Sequence, residues 1–207
     1  MQYRVTSPAS VAVLGGIVGV CGPLLLSVDG QAAHVAHITL SSGWSWAALS
    51  YFAGMAEKRK RRSCVMGVVS LVCATLAYYV TKAVQGDFLK VDLGDHTGQT
   101  TYFAWGQFIS FIALWCFTAC LFGPILGLLG NLSRNGYKRH AFRAAVPLVV
   151  IAETSVRLST EASLQQPVVG TTWCATRIAA MIILFAIAGY SIYEYWRTLS
   201  KRRIHSS

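Results

Sequence analysis

Charged residues are scarce in this chain. Asp, Glu, Lys and Arg together make up 13% of its 207 residues, whereas hydrophobic residues make up 54%. A soluble domain usually carries about a quarter charged residues, so this composition argues against one and indicates a membrane protein. The polar stretches between the apolar runs are short. We therefore expect one membrane domain over residues 1–207, without a separate soluble domain.

Several catalytic signatures are also missing. The six cysteines include no CxxC pair, which argues against a membrane thiol oxidoreductase. Asp92 and Asp95 form a DxxD, but DDxxD and DxDD, the signatures of magnesium–diphosphate chemistry and of soluble protonating cyclases, are absent. His34 and His37 have the spacing of metal ligands, yet no nearby Cys or second pair completes a site. We expect no metal and no other cofactor.

The net charge of +10 does not indicate nucleic-acid binding. The basic residues lie beside the ends of apolar runs, and neither a basic face nor an RNA- or DNA-binding motif is present. Basic clusters in such positions are typical of topology determinants and of contacts with lipid headgroups. The expected partner is therefore the lipid bilayer and not a nucleic acid.

Six apolar runs are long enough to cross a bilayer as helices, which need about 20 residues each. If the N-terminus is inside, fourteen of the eighteen Lys and Arg residues fall on the inner side, as the positive-inside rule requires. The first run has no small-residue cleavage site, so we expect it to be retained. We predict an all-α bundle of six transmembrane helices in the cell membrane, with both termini cytoplasmic. The runs cover about 9–28, 38–56, 63–81, 101–129, 141–159 and 173–196.

The first run has a face of small residues, formed by Gly15, Gly16, Gly19 and Gly22. Gly15 and Gly19 make a GxxxG motif. Small faces let membrane helices approach closely. We therefore predict that another helix packs against this face.

The fifth run carries charges where hydrocarbon is expected. Glu153 lies about 18 Å along the helix from Ala141, and Arg157 follows one turn later. A charged side chain at this depth costs at least ~2.5 kcal/mol, so intramembrane acids usually mark function. Two interpretations stay open. Glu153 is a functional acid, or Glu153 and Arg157 form an intrahelical ion pair that makes the run insertable.

Acids and aromatic residues together suggest carbocation chemistry. Asp29 and Asp95 lie on the same predicted side of the membrane as Glu153, and these three acids are the candidate catalytic residues. Protonation of an alkene needs a carboxylic acid that stays neutral, and aromatic faces stabilise the resulting cation by ~0.5–2 kcal/mol each. The alternative is that the aromatic residues serve packing or interface belts. The candidate substrate-binding residues are Trp44, Trp46, Tyr51, Tyr78, Trp105, Phe108, Trp115 and Trp173.

Two stretches, SSGWSWAALSYFAG and CLFGPILGLLGN…RAAVPLVVIAE, resemble a family of small actinobacterial multi-pass membrane proteins. Some members of that family resemble the membrane terpene cyclases of drimentine-type indole alkaloid pathways. The resemblance implies cyclisation, started by protonation, of a farnesyl chain attached to a cyclodipeptide. It covers roughly residues 40–160, and the matching motif positions are Trp46, Gly123, Pro124, Gly127, Ala152 and Glu153.

We therefore expect a membrane terpene cyclase with Glu153 as the general acid and with Asp29 and Asp95 as further candidates or supporting groups. Its substrate would be a hydrophobic prenylated indole or cyclodipeptide, and we expect association with a prenyltransferase. One alternative is the substrate-binding membrane subunit of a vitamin-type transporter, which would use the same pocket for binding and need cytoplasmic coupling partners. Another is a scaffold without a ligand, whose aromatic residues would face lipid.

Overall fold

The computed structural model describes residues 7–92, 100–135, 139–160 and 167–204. Most of these residues are helical, which confirms the predicted helical class. A two-stranded antiparallel hairpin, β1–β2, is an addition that the sequence did not predict, and its strands pair Leu89 with Phe103. The elements are α1 (Pro8–Leu26), α2 (Gln31–Leu40), α3 (Gly43–Met55), α4 (Lys60–Val84), β1 (Leu89–Val91), β2 (Thr101–Phe103), α5 (Trp105–Asn135), α6 (Arg139–Arg143), α7 (Ala145–Thr160) and α8 (Pro167–Ile204).

The chain divides into two compact units, Met1–Asn131 and Leu132–Ser207. Unit 1 contains α1 to α4, the hairpin and most of α5. Unit 2 contains the end of α5 together with α6, α7 and α8.

Four helices among the described residues are long and apolar enough to cross a membrane. They are α1, α4, α5 over Trp105–Arg134, and α8 over Pro167–Arg197. Large hydrophobic side chains are exposed along all four. In water such surfaces would favour association, whereas hydrocarbon is their natural solvent. The chain therefore has the surface and the helix lengths of a membrane protein.

The second apolar run is not the single helix that its composition suggests. It divides into α2 and α3 at Ser41–Ser42, and α2 begins upstream at Gln31. His34 and His37, which precede the predicted run at 38–56, consequently lie within α2. Two adjacent serines followed by glycine explain the break, because serine hydroxyls compete for backbone hydrogen bonds and glycine adds flexibility.

Side chains satisfy the carbonyl groups that the break leaves open. The Ser42 hydroxyl donates to the Thr39 carbonyl at 2.6 Å, and the Trp46 indole N–H donates to the Leu40 carbonyl at 3.1 Å. A helix end without such partners would be costly in hydrocarbon. The break is therefore a stable feature of the fold.

The fifth apolar run is also interrupted. It comprises α6 and α7, with Ala144 between them. Pro147, in the first turn of α7, has no N–H to offer the Arg143 carbonyl, and its ring crowds that carbonyl. A continuous helix through this point is therefore unfavourable, which accounts for the restart at Ala145.

In unit 1, α1 packs on α4 through glycine. A Cβ atom on Gly15 would collide with the Ser70 carbonyl, and one on Gly19 would collide with the Ala74 carbonyl. The predicted small face is confirmed at these positions, where only a hydrogen atom fits between the two backbones. Gly16 is the exception, because a Cβ there meets nothing within 4 Å among the described residues.

Glycines also bring α3, α4 and α5 together. Gly54 on α3 lies against Gly127 on α5, and Gly67 on α4 lies against Gly123. Ser50 is fully buried at this junction and donates a hydrogen bond of 3.2 Å to the Gly123 carbonyl. The glycines on either side of Pro124, Gly123 and Gly127, therefore serve close helix packing, which gives the motif that carries the family resemblance a structural role.

Gly19→Ala and Gly16→Ala, three residues apart on α1, form a matched pair. We expect Gly19→Ala to lower the free energy of unfolding by about 1–3 kcal/mol, because the added methyl group pushes α1 away from α4. Gly16→Ala should leave it unchanged or raise it by up to ~1 kcal/mol, because alanine favours helix. Thermal unfolding in detergent, followed by circular dichroism, measures both. Equal stability of the two variants would contradict the packing of α1 on α4.

Candidate functional site

Glu153 and Arg157 form an ion pair on α7. The Arg157 Nε–H donates to Glu153 Oε1 at 3.0 Å, and the two side chains are 31% (Arg157) and 19% (Glu153) exposed. The contact spans one helical turn, as the ion-pair interpretation of the sequence requires. Glu153 is therefore one partner of an ion pair and not an isolated acid.

Arg157 also connects α7 to α8. Its guanidinium carbon lies 4.9 Å from the centre of the Trp173 ring. Trp173 is only 2% exposed, so this cation–π contact is shielded within unit 2. Arg157 thus contacts both the Glu153 carboxylate and the Trp173 ring.

The two helices run antiparallel, because Arg157 contacts Trp173 at one end while Arg139, in α6, contacts Glu194 at the other. Residues that lie one turn from the Arg157–Trp173 contact, on α7 and on α8 in the direction of the Arg139–Glu194 contact, are therefore at about the same level. Arg177 follows Trp173 by one turn, so it lies at about the level of Glu153. We call these four residues of the antiparallel α7–α8 pair the hairpin cluster: Glu153, Arg157, Trp173 and Arg177. It is separate from the β1–β2 hairpin.

The three predicted catalytic acids have different positions. Glu153 belongs to unit 2, whereas Asp29 is an exposed residue between α1 and α2 in unit 1. Asp95 lies outside the described residues. The convergence of these acids at one end of the bundle therefore stays a prediction.

Four of the predicted aromatic residues lie around α3 and α4 in unit 1. Trp46 and Tyr78 make an edge-to-face contact with ring centres 5.7 Å apart. Tyr51 is 4% exposed and packs edge-on against Phe52. Trp44 lies at the start of α3, two residues after the break at Ser41–Ser42. These contacts between rings are typical of packing, one of the two interpretations left open by the sequence.

The remaining unit 1 candidates belong to the start of α5 and its hairpin. Phe108 contacts Phe88, which is 4% exposed, at a ring distance of 5.2 Å. Trp105 packs beside Phe103 but is 63% exposed, and Trp115 is 47% exposed. Such exposed indoles suit a membrane interface or lipid contact. Of the eight predicted aromatic residues, Trp173 is the one that lies in unit 2, where it contacts Arg157 of the ion pair.

The model of DUF6518, a family of unknown function, matches residues 3–199. The chain belongs to this family. Comparisons with curated proteins and with solved structures found no match. The DUF6518 match includes both units and the whole hairpin cluster, so all of these features lie within the family's extent.

This DUF6518 protein also buries Glu57, an acid for which the sequence predicts exposure. Glu57 precedes a run of five basic residues, a context that predicts a solvated stop signal. It is instead 2% exposed, and Arg62 Nε lies 3.2 Å from its carboxylate. Asn131 donates to the Glu57 carbonyl at 2.6 Å and is itself buried. Residues 57 and 131 are far apart in sequence, so no local pattern indicates their contact.

A second acid, Glu194 in unit 2, contacts two basic residues through its carboxylate. Arg139 donates to both of its carboxylate oxygens, at 2.7 and 2.8 Å, and His140 Nε2 lies 2.7 Å away. The sequence marks these residues only as loop and helix-end charges. Within the described part of the chain, no group of three or more His, Cys, Asp and Glu residues is arranged to hold a metal ion.

We expect the Glu153–Arg157 pair to be coupled in stability. Glu153→Gln and Arg157→Gln should each lower the melting temperature in detergent, because each leaves one charge without this partner in a low-dielectric site. The double substitution should cost less than the sum of the single ones. Thermal unfolding of the four proteins gives the coupling energy.

Lys82→Gln and Asp87→Gln provide the control cycle. Their ion pair is 2.9 Å long, and Asp87 is 38% exposed against 19% for Glu153, so we expect weak coupling. Additive effects in the Glu153–Arg157 cycle would contradict the pairing.

Proposed function

We propose that the chain crosses the cell membrane six times, with both termini in the cytoplasm. Beyond the four long helices, α2 with α3 and α6 with α7 would supply the other two crossings. Each pair combines short helices, of 10 and 13 residues and of 5 and 16 residues, that cannot span alone. Interrupted helices are tolerated at membrane depth where protein or a cavity covers the break. The placement of fourteen basic residues on the inner side supports this topology.

Labelling with a membrane-impermeant maleimide distinguishes six crossings from four. With six crossings from a cytoplasmic N-terminus, Lys58 is inside and the β1–β2 hairpin is outside, whereas four crossings from a cytoplasmic N-terminus reverse both. In a chain with its own cysteines replaced, Val91→Cys should therefore react in intact cells and Lys58→Cys only after lysis. Both residues are exposed, so access does not favour either one. The reverse pattern would refute the six-span topology.

We infer that the protein binds a hydrophobic small molecule that enters from the bilayer, as the substrate-binding subunit of a transporter would. The observation that carries this inference is the Glu153–Arg157 pair packed on the buried Trp173 ring. Charged side chains inside apolar helices usually mark a substrate pathway because their desolvation is costly. A fixed ion pair beside an aromatic ring suits recognition of a polar group on an otherwise apolar ligand.

The membrane terpene cyclase is our second proposal. The family resemblance and the density of aromatic rings support it, since such rings can stabilise a carbocation. The ion pair sets a condition: a carboxylate paired with Arg157 has no proton to give, so Glu153 would have to leave Arg157 and take up a proton from water before it could protonate the alkene. The cyclase proposal therefore requires Glu153 to exchange Arg157 for the alkene, or Asp29 or Asp95 to act as the acid.

One incubation tests both proposals. Purified protein is mixed with a prenylated indole cyclodipeptide, and native mass spectrometry and chromatography follow the complex and the released compound. A cyclase should convert the compound to a product of equal mass and different retention, and Glu153→Gln should remove at least 99% of turnover. A binding protein should return the compound unchanged, and its purified form should retain a hydrophobic small molecule from the membrane.

Asp29→Asn is the comparison variant, because it neutralises the other candidate acid that the structure describes, an exposed one. Full turnover by Glu153→Gln would exclude Glu153 as the acid, and loss of turnover in Asp29→Asn alone would reassign it. Protein that retains no small molecule and converts none would contradict both proposals and favour a scaffold.

A further inference from the structure

Arg177 is a positive charge well inside an apolar helix. It lies about 15 Å along the axis from Pro167, at 1.5 Å per residue, within the stretch of α8 that is suited to cross a membrane. Its Nε–H is buried and has no hydrogen-bond partner among the residues that the structure describes. An uncompensated cation at this depth is expensive, so intramembrane arginines are normally paired.

Trp173 presents a second donor without a partner. Its indole N–H is buried and meets no acceptor in the described part of the chain, although the ring is 98% buried, with 2% exposed. Trp173 and Arg177 are four residues apart on α8 and therefore share a face. Buried donors nearly always have acceptors. Two neighbouring donors without one indicate a missing acceptor that both can share.

The charges around these donors favour an anion. Glu153 lies at about the level of Arg177, but it accepts from Arg157, and Arg157 in turn covers the Trp173 ring. The three charged side chains of the hairpin cluster therefore sum to one positive charge. A neutral acceptor would satisfy the hydrogen bonds only, whereas an anion would also compensate Arg177.

We propose that the hairpin cluster binds the oxyanion of an amphiphile, a carboxylate or phosphate group on an apolar tail, through Trp173 and Arg177. This inference rests on the proposed binding function and names its ligand class. The planar guanidinium matches both kinds of oxyanion. The tail explains access, because a ligand that reaches a site within the apolar span must be compatible with hydrocarbon.

The test uses the full chain in a neutral detergent after exhaustive lipid removal. Dodecanoate, dodecyl phosphate and dodecanol share one tail and differ in headgroup, and inorganic phosphate supplies a headgroup without a tail. We expect both acidic amphiphiles to bind and to raise the melting temperature. Dodecanol and inorganic phosphate should bind at least tenfold more weakly.

Variants assign the binding to the two donors. Arg177→Leu should weaken the binding of dodecyl phosphate by about 10- to 100-fold, as expected for loss of a charge-assisted hydrogen bond. Arg177→Lys should retain part of the affinity. Trp173→Phe keeps the ring under Arg157 and removes only the N–H, so we expect a loss of about threefold to tenfold. Arg197→Leu removes one positive charge from an exposed position on the same helix and should bind like the natural chain.

Stability without ligand separates a binding role from a structural one. Because the buried Arg177 Nε–H has no acceptor among the described residues, Arg177→Leu should melt at a higher temperature than the natural chain when no amphiphile is present. A lower melting temperature would show that Arg177 is already paired in the folded chain, and would overturn the proposal.

Equal affinity for dodecanol and the two acids would overturn the oxyanion site while leaving the proposed binding function in place. Equal affinity for inorganic phosphate would overturn the requirement for an amphiphile. Failure to bind any of the tailed compounds would overturn the site and count against the binding function as well. A dimer that dissociates on Arg177→Leu would assign the anion to a carboxylate of a second copy and would likewise overturn the proposal.

Discussion

Polar groups inside apolar helices must find partners within the protein, because hydrocarbon supplies none. This constraint accounts for the main irregularities of the chain. Glu153 and Arg157 pair across one turn of α7. At the break between α2 and α3, Ser42 and Trp46 bond to backbone carbonyls. The Nε–H of Arg177 and the indole N–H of Trp173 depart from this pattern among the described residues, and the proposed oxyanion site rests on them.

Close backbone contact is the second requirement of the fold. In unit 1, α1, α3, α4 and α5 meet where glycine faces a carbonyl group or another glycine. Membrane helices gain little from hydrophobic burial, because lipid tails are as apolar as their side chains, so dense packing and interhelical hydrogen bonds stabilise them instead. Ser50, fully buried and bonded to Gly123, combines both. Unit 1 is thus held together by small residues and also buries Glu57, while the hairpin cluster of unit 2 carries charges within apolar helices.

Part of this could be predicted from local patterns. Helical class, the positions of the long apolar helices, the packing role of Gly15 and Gly19, and the Glu153–Arg157 contact all depend on residues near one another in sequence. The breaks at Ser41–Ser42 and Ala144 were missed, although Ser-Ser-Gly and Pro147 are signals for them. The β1–β2 hairpin was missed because its strands are only three residues each. The burial of Glu57 has no local signal, because the contact of Asn131 with its backbone carbonyl comes from a helix distant in sequence.

The amino-acid sequence by itself determined that this is a helical membrane chain and that one apolar run carries an acid and an arginine one turn apart, because composition and helical spacing are local properties. Tertiary structure alone decided which side chains from other helices surround those charges. It placed Arg157 over the Trp173 ring and Arg177 at the level of Glu153, and among the described residues it gave the buried N–H groups of Trp173 and Arg177 no acceptor. The reason is physical: the environment of a side chain depends on which helices pack beside it, and helix pairing is not a local property of the sequence.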